Sequence, residues 1–196
     1  MIEIFQKVNE SKYRWAQERE EILAFAAYCS AQLSGNIRFA EIGCLYGCTM
    51  VFLGNVLSKT CNVKAYGINK PLPKDWNMYR GDNLQMSIES IGPKFPFKLI
   101  EGDSQAPETI ASLKKELSGE QLDLLFIDGN HNGNYPRQDF DKYQGFVRKG
   151  GIIAIHDIKS KPTWGVRKAW AHIRKLGRPV EISSCPERCG IGAIIK

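Results

Sequence analysis

The sequence predicts an α/β protein built on a doubly wound, mostly parallel seven-stranded sheet. Short apolar stretches alternate with longer amphipathic ones along most of the chain, which is typical of parallel strands joined by crossover helices. The apolar run Leu122–Ile127 is typical of a central strand that is buried on both faces. Two short apolar stretches close the chain, and these predict a terminal pair of strands.

The predicted elements follow one another without a linker or an internal repeat. The strands are Ile37–Ile42, Asn62–Ile68, Phe97–Ile100, Leu122–Ile127, Ile152–Ile155, Pro179–Ser183 and Gly190–Ile195. The helices are approximately Lys12–Leu33, Cys48–Ser58, Asp82–Ile91, Ala106–Leu117, Tyr135–Val147 and Thr163–Leu176. The first helix has apolar residues at helical spacing and ends at Gly35. We therefore expect an N-terminal helical cover over residues 1–35 and one compact domain over residues 36–196.

Composition and charge limit the class of protein. The chain has 196 residues, of which 43% are hydrophobic and 24% charged, as expected for one globular domain with a full core. No apolar run could span a bilayer, and the N-terminus lacks a signal pattern, so we expect a cytoplasmic protein with no membrane partner. The net charge of +6 suits an anionic partner but is below the Lys and Arg density of a dedicated nucleic-acid binder.

The stretch Phe39–Thr49 reads as the end of a buried strand, a tight turn and the start of a helix. Gly43 can adopt backbone angles closed to other residues and has no Cβ to block a ligand. Gly47 would let the helix start pack close to the strand or to a bound molecule. Glu41 places a carboxylate beside the helix start, where it would repel a phosphate but suit a cation or an amino group. The Gly-x-x-x-Gly spacing also disfavours a dehydrogenase, whose dinucleotide fingerprint is Gly-x-Gly-x-x-Gly.

This acidic residue with Gly-x-x-x-Gly resembles the first motif of class I S-adenosylmethionine-dependent methyltransferases. The resemblance implies a Rossmann-like methyltransferase fold, in which the C-terminal strand pair is antiparallel. It also implies S-adenosylmethionine as the cofactor, with its methionine part held at the glycine turn. Asn69 stands where the family usually has Asp or Glu for the ribose, and an amide binds hydroxyl groups less strongly than a carboxylate does. The implied cofactor-binding residues are Glu41, Gly43, Gly47, Thr49, Asn69, Asp103 and Ser104 (at the adenine), and Asp128.

Acidic and histidine side chains follow two adjacent strands of the predicted sheet. Asp128 and His131 come after Leu122–Ile127, and His156 and Asp157 follow the fifth strand. Because ligands bind beyond the C-terminal ends of parallel strands, we expect these four side chains to lie close together. Such a group suits a divalent metal such as Mg²⁺, and it equally suits a general base that takes a proton from a hydroxyl.

The stretch Asp123–His131, followed by Gly150-Gly151 and His156-Asp157, resembles one branch of the methyltransferases. That branch includes O-methyltransferases of sugars and macrolides and the cephalosporin-hydroxylase-like proteins. The resemblance implies methyl transfer to oxygen of a small hydroxylated molecule. It implies Asp128, His131 and His156 as catalytic residues and Asp128, His156 and Asp157 as metal ligands. Asn130 departs from the branch, which usually has Asp there, so one negative charge is missing beside the implied metal.

Several other interpretations stay open. The stretch from Lys159 to Arg178 is the most basic of the chain, either as a solvated helix face or as a site for an anionic acceptor such as a sugar phosphate. Trp76 and Tyr79 could stack on a base or a substrate. A nucleic-acid methyltransferase is disfavoured, because the residues after the fourth strand lack the Asn/Asp-Pro-Pro-aromatic motif of base-amino methylation. A non-catalytic cofactor-binding protein is a further alternative, and the N-terminal helix could form a homo-oligomer contact.

Overall fold

The computed structural model describes residues 1–11, 15, 17–71, 84–185 and 187–196. Within these residues the strands are β1 (Gly35–Ile42), β2 (Cys61–Asn69), β3 (Phe97–Glu101), β4 (Leu122–Ile127), β5 (Val147–His156), β6 (Arg178–Ile182) and β7 (Ile191–Ile195). They form one seven-stranded sheet in the order β3-β2-β1-β4-β5-β7-β6. Strand β7 runs antiparallel to both neighbours and the other pairs are parallel, so the predicted fold class is confirmed.

The N-terminal helix prediction was wrong in its boundaries. The helices are α1 (Ile2–Asn9), α2 (Arg19–Gln32), α3 (Cys48–Leu57), α4 (Leu84–Ile91), α5 (Pro107–Leu117), α6 (Tyr135–Tyr143) and α7 (Trp164–Ile173), with a 3₁₀ turn at Gln144–Phe146. Where one helix starting near Lys12 was expected, α2 begins only at Arg19 and a separate α1 precedes it. Helix α1 has 8 residues and buries only Phe5 and Val8, so its apolar residues repeat too few times to mark a helix in the sequence.

The fifth strand is longer than predicted. It begins at Val147 rather than Ile152, and its pairing with β4 is irregular between Leu122 and Leu124. Gly150, at φ +77°, allows the strand to continue through the Gly-Gly pair with this irregularity. The expected stacking residues Trp76 and Tyr79 lie outside the described residues.

Two apolar clusters cover the two faces of the sheet, and β4 contributes to both. Leu124 and Phe126 belong to the cluster shared with helices α1 to α4, whereas Leu125 and Ile127 belong to the cluster shared with α5, α6 and α7. This division follows from the alternation of side chains along a strand. Because both faces of β4 are covered, every residue of the strand is buried. The polar residues that follow β4 are therefore attached to a well-packed strand end.

The N-terminal helices are joined to the rest of the structure by packing and by a buried carboxylate. Phe5 of α1 packs edge-on against Phe52 of α3, with ring centroids 6.0 Å apart. Glu21 of α2 is 1% exposed and accepts backbone N–H bonds from Ser184 (2.9 Å) and Gly190 (2.8 Å). Across the described residues, the helices are too short or too polar to cross a lipid bilayer.

Candidate active site

The glycine turn packs directly on the end of β4. Gly43 has φ +88°, and a Cβ added to it would lie 2.2 Å from the carbonyl oxygen of Asp128. The Gly43 N–H donates to the Ile68 carbonyl oxygen (2.9 Å), and the Asp128 N–H donates to the Ile42 carbonyl oxygen (2.8 Å). Three strand ends therefore meet at a position where only glycine fits.

Gly47 has a different neighbour from the one expected. It caps α3 with φ +79°, and an added Cβ would lie 2.2 Å from the side chain of Ile88 in α4. The close approach is to a helix, where a strand or a bound molecule was expected. The described lining of the two cavities beside the turn does not include Gly47.

Glu41 is a buried carboxylate with spare hydrogen-bonding capacity. It is 1% exposed, and its Oε2 has no hydrogen-bond partner among the described residues. Burial and the nearby charge of Asp128 raise the pKa of Glu41 well above its usual range. A buried, unpaired acceptor costs free energy, so this position favours a ligand that brings a donor or a positive charge.

Trp15 and Gln17 lie over the glycine turn. The Trp15 Nε1–H donates to Thr49 Oγ1 (3.0 Å), and the Gln17 Nε2–H donates to Asp128 Oδ2 (2.9 Å). They help to line a cavity of about 30 Å³ beside Glu41, which has room for little more than a water molecule. A larger group can enter here only if Trp15 or Gln17 moves.

A second cavity, of about 460 Å³, runs from Gly43 past Asn69 and Asp103 to Asp128 and His131. This volume is within the range of small-molecule sites. Asn69 supports the turn, because its Oδ1 accepts the Leu45 N–H (3.2 Å) and its Nδ2 donates to the Lys70 carbonyl oxygen (2.7 Å).

The loop after β3 is held by a buried acid of α6, to which the sequence analysis assigned no role in the site. Asp139 of α6 is fully buried and accepts hydrogen bonds from the Ser104 hydroxyl (2.7 Å) and from the Gln105 amide. Burial raises the pKa of Asp139 to about 6. Asp103, in the same loop, pairs with Lys70 at 2.6 Å, which lowers its pKa. Helical spacing places Asp139 on the buried face of α6 with Phe140, and that spacing was the available signal.

Asp128, His131, His156 and Asp157, here called the acid–imidazole cluster, come together at the ends of β4 and β5. Asp128 Oδ1 lies 3.3 Å from His131 Nε2 and 3.2 Å from His156 Nδ1. Asp157 Oδ2 lies 3.5 Å from His131 Nδ1, and its Oδ1 lies 3.7 Å from His156 Nδ1. Asp157 has φ +66°, a left-handed conformation that Asp adopts more readily than most residues other than glycine.

The two imidazoles differ in burial. His156 is 4% exposed, and its Nε2 has no partner among the described residues, whereas the His131 side chain is 35% exposed and lines the larger cavity. Burial raises the pKa of the Asp128 carboxyl, but the two imidazoles outweigh burial and hold that pKa well below its usual range. Hydrogen bonding to Asp128 raises the pKa of His131 against the opposing effect of burial.

Within the part of the chain that the structure describes, two sets of donor atoms are close enough for one cation. Asp128, His131 and Asp157 form one set and His156, Asp157 and Cys189 the other, with all donor atoms within 4.8 Å of one another in each set. The predicted ligands were Asp128, His156 and Asp157. In the set that faces the larger cavity, His131 stands in the place expected for His156.

Comparison with known proteins shows which family the chain belongs to. The family model of a methyltransferase domain matches residues 40–158, which is more than half of the chain. The chain belongs to this methyltransferase family. Its strand order and its glycine turn are those of a class I S-adenosylmethionine-dependent methyltransferase. A search of curated protein sequences finds no significant match.

Solved structures of similar fold include several methyltransferases. An O-methyltransferase from Bacillus cereus, solved in complex with S-adenosylhomocysteine, has a TM-score of 0.68 and 15% identity over 99% of this chain and 91% of its own. The O-methyltransferase TomG of Streptomyces achromogenes, in complex with S-adenosylmethionine, has a TM-score of 0.65 and 13% identity over 100% and 88%. A TDP-rhamnose 3′-O-methyltransferase of calicheamicin biosynthesis has a TM-score of 0.64 and 12% identity over 99% and 93%. At these identities the likeness shows the fold.

The methyltransferase should lose stability as the pH rises, because of His156. Burial lowers the pKa of His156, but the carboxylates of Asp128 and Asp157 outweigh burial and raise it from 6.5 to about 9. Since the folded-state pKa is the higher one, this contribution to the free energy of unfolding is complete below pH 6.5 and is lost between pH 6.5 and 9. A shift of this size corresponds to about 3 kcal/mol.

Urea unfolding at pH 6 and at pH 9.5, with a chelator present, measures this loss by comparing the wild type with His156→Gln. The wild type should lose more stability than the variant between these pH values. Equal losses in the two proteins would show that His156 is not held as a cation by its carboxylate neighbours.

Proposed function

We propose that this methyltransferase transfers a methyl group from S-adenosylmethionine to a hydroxyl oxygen of a small molecule. The observation that carries the proposal is the position of the acid–imidazole cluster at one end of the 460 Å³ cavity, beside Glu41 and the glycine turn. Methyl transfer from a sulfonium to a hydroxyl needs an aligned acceptor and a group that takes its proton. The similar solved structures named as O-methyltransferases also support oxygen as the accepting atom.

The cofactor matches the charges that line the two cavities. Its ammonium and sulfonium groups are positive, and the carboxyl groups of Glu41 and Asp128 line the small cavity beside the glycine turn. The unpaired Oε2 of Glu41 suits the amino group of the methionine part. Asn69 would then bind the ribose, and the loop of Asp103 and Ser104 would bind the adenine, at the far end of the larger cavity.

In the absence of a metal ion, we assign removal of the acceptor proton to His131. It is the more exposed imidazole and it lines the larger cavity. Without cofactor, the hydrogen bond to Asp128 raises its pKa and favours the protonated form. A cationic cofactor beside Asp128 competes for the same carboxylate and lowers the pKa of His131, so binding of the donor would prepare the base.

His156 acts as a positioning residue. It is buried and is not part of the described lining of either cavity, but its Nδ1 faces both Asp128 and Asp157. Its positive charge would keep Asp128 ionised, and its contacts with Asp128 and Asp157 would orient both carboxylates toward His131. We therefore expect substitution of His156 to act on the rate through the state of Asp128 and Asp157.

A divalent cation is compatible with the same residues. Asp128, His131 and Asp157 would hold it, since their donor atoms lie within 4.8 Å of one another. Two carboxylates and one imidazole suit Mn²⁺ or Zn²⁺ better than Mg²⁺, which prefers oxygen ligands. When bound, such an ion would lower the pKa of an acceptor hydroxyl.

Replacing Asn69 with Asp should strengthen cofactor binding. The aspartate can still accept the Leu45 N–H through one carboxylate oxygen, and it offers the ribose a charge-assisted hydrogen bond. The expected gain is about tenfold in the affinity for S-adenosylhomocysteine, measured by calorimetry. Asn62→Asp adds the same charge at the exposed start of β2 and is the control. Equal affinities in the two variants would contradict the ribose assignment.

Methyl transfer from labelled S-adenosylmethionine to a panel of phenols, glycosides, nucleotide sugars and matched amines tests the proposed function. The panel is run with a chelator, with Mn²⁺ and with Mg²⁺. We expect at least one hydroxylated acceptor to be methylated and its amine analogue to react far more slowly. Preferred methylation of amines, or failure of S-adenosylhomocysteine to bind, would overturn the proposal.

A further inference from the structure

A basic groove lies between helix α7 and the edge strand β6, outside the site described above. The cavity measures about 550 Å³ and is lined by residues of α7 and the turn that follows it, of β6, and of the loops that follow β5 and β6. Among the described residues of the lining, five side chains are cationic and two are anionic, which gives a net charge of +3. A cleft lined mainly by one sign of charge focuses the electric field and raises the local concentration of a ligand of the opposite charge.

One carboxylate organises the middle of the groove. Glu181 lies 2.6 Å from Lys159 Nζ and 2.8 Å from an Arg174 guanidinium nitrogen, and it accepts the Trp170 Nε1–H at 2.8 Å. The Trp170 ring is buried, so this carboxylate is fixed on the protein core. Two cations therefore share one negative charge and are held in defined positions, with one positive charge in excess.

The remaining charges add to that excess. Lys161 is paired with Glu187 at 3.0 Å, and this pair is neutral. Arg167 and Lys175 line the same groove and have no ion-pair partner among the described residues. Paired and unpaired guanidinium and ammonium groups facing one cavity are the donors that bind phosphate oxygens.

The groove begins beside the acid–imidazole cluster. Lys159 is two residues beyond Asp157, so their Cα atoms are at most about 7.6 Å apart. The intervening backbone is fixed, because the N–H groups of Ile158 and Lys159 donate to the carbonyl oxygens of Gly190 (3.1 Å) and Cys189 (2.8 Å). One small molecule could therefore have anionic groups in the groove and a hydroxyl at the cluster.

We propose that this groove binds the phosphate groups of the methyl acceptor, so that the acceptor is a phosphorylated molecule of the size of a sugar phosphate or a nucleoside diphosphate sugar. The substrate class rests on the proposed function, but the presence of a phosphate site does not. A diphosphate matches the net charge of +3, and the volume of about 550 Å³ is within the range of ligand sites.

Calorimetric titration with inorganic pyrophosphate tests the site itself. The wild-type chain is compared with Arg167→Ala/Lys175→Ala and with Lys114→Ala/Lys115→Ala, which removes two exposed charges from α5 and leaves the groove intact. We expect pyrophosphate to bind the wild type, at least tenfold more weakly to the groove variant, and within twofold of the wild type to the control variant. No binding to the wild type, or equal weakening in both variants, would overturn the proposal.

A parallel titration with S-adenosylhomocysteine separates this inference from the proposed function. The groove variant should bind S-adenosylhomocysteine as the wild type does, which also shows that it is folded. If pyrophosphate binds but S-adenosylhomocysteine does not, the proposed function fails while the phosphate site stands. The groove variant should raise KM for a nucleotide sugar at least tenfold and leave KM for neutral acceptors unchanged. Equal changes for charged and neutral acceptors would overturn the acceptor assignment.

Discussion

Replacing Asp128 with Asn should lower kcat for methyl transfer by roughly 10²–10⁴-fold, which is the range expected when proton transfer is lost. Asn keeps the size of the side chain but removes the negative charge that lies 3.3 Å from His131 and 3.2 Å from His156. Its amide cannot hold two imidazolium groups, so His131 would lose both its orientation and its link to the charge of the cofactor. The rate is measured with the acceptor that reacts fastest in the panel described above.

Two comparisons make this result specific. Asp141→Asn changes an exposed acid of α6 that is paired with Arg137, and it should leave kcat unchanged. The Asp128 variant should also weaken binding of S-adenosylmethionine more than binding of S-adenosylhomocysteine, because only the former carries a positive sulfur. If Asp128→Asn retains the wild-type kcat, the acid–imidazole cluster does not handle the acceptor proton.

Replacing Gly43 with Ala should lower the free energy of unfolding by about 2–5 kcal/mol, combining backbone strain with overpacking. The glycine has φ +88°, and the new Cβ would lie 2.2 Å from the Asp128 carbonyl oxygen and 2.6 Å from the Cα of Gly129. Both contacts are backbone atoms, which cannot rotate away as a flexible side chain could. Chemical denaturation measures the loss.

Gly119→Ala is a matched control for this substitution. Gly119 has nearly the same backbone angle, φ +90°, but an added Cβ would have no atom within 4 Å. It therefore reports the cost of the backbone conformation alone, and the difference between the two variants reports the contact with β4. If Gly43→Ala is no less stable than Gly119→Ala, the turn does not pack on the end of β4 in the way described.

The sequence predicted the fold class, and the edge of the sheet at which the acid–imidazole cluster lies, for local reasons. Leu122–Ile127 is apolar throughout except for Asp123, so it was identified as a central strand. The polar residues that follow it had to lie at its C-terminal end, and the rule for parallel strands placed His156 and Asp157 beside them. The distances of 3.2 Å and 3.3 Å around Asp128 agree with that expectation.

The missed features depend on contacts between residues that are far apart in the chain. Gln17 and Asp128 are separated by 111 positions, and no local pattern marks Gln17 as a residue that covers the glycine turn. The contact of Gly47 with Ile88 depends on how α4 packs on α3. In the donor set that faces the larger cavity, His131 is present where His156 was predicted. This difference depends on how deeply each imidazole is buried, and the rule that ligands bind at strand ends does not specify burial.

A crystal structure with S-adenosylhomocysteine tests the central claim most directly, through the distance from the homocysteine amino nitrogen to Glu41. We predict roughly 3 Å, the length of a hydrogen bond, with Gln17 displaced from Asp128 and the sulfur facing His131. A complex in which Trp15 and Gln17 keep their positions over Gly43, with the homocysteine bound elsewhere, would contradict this account of the site.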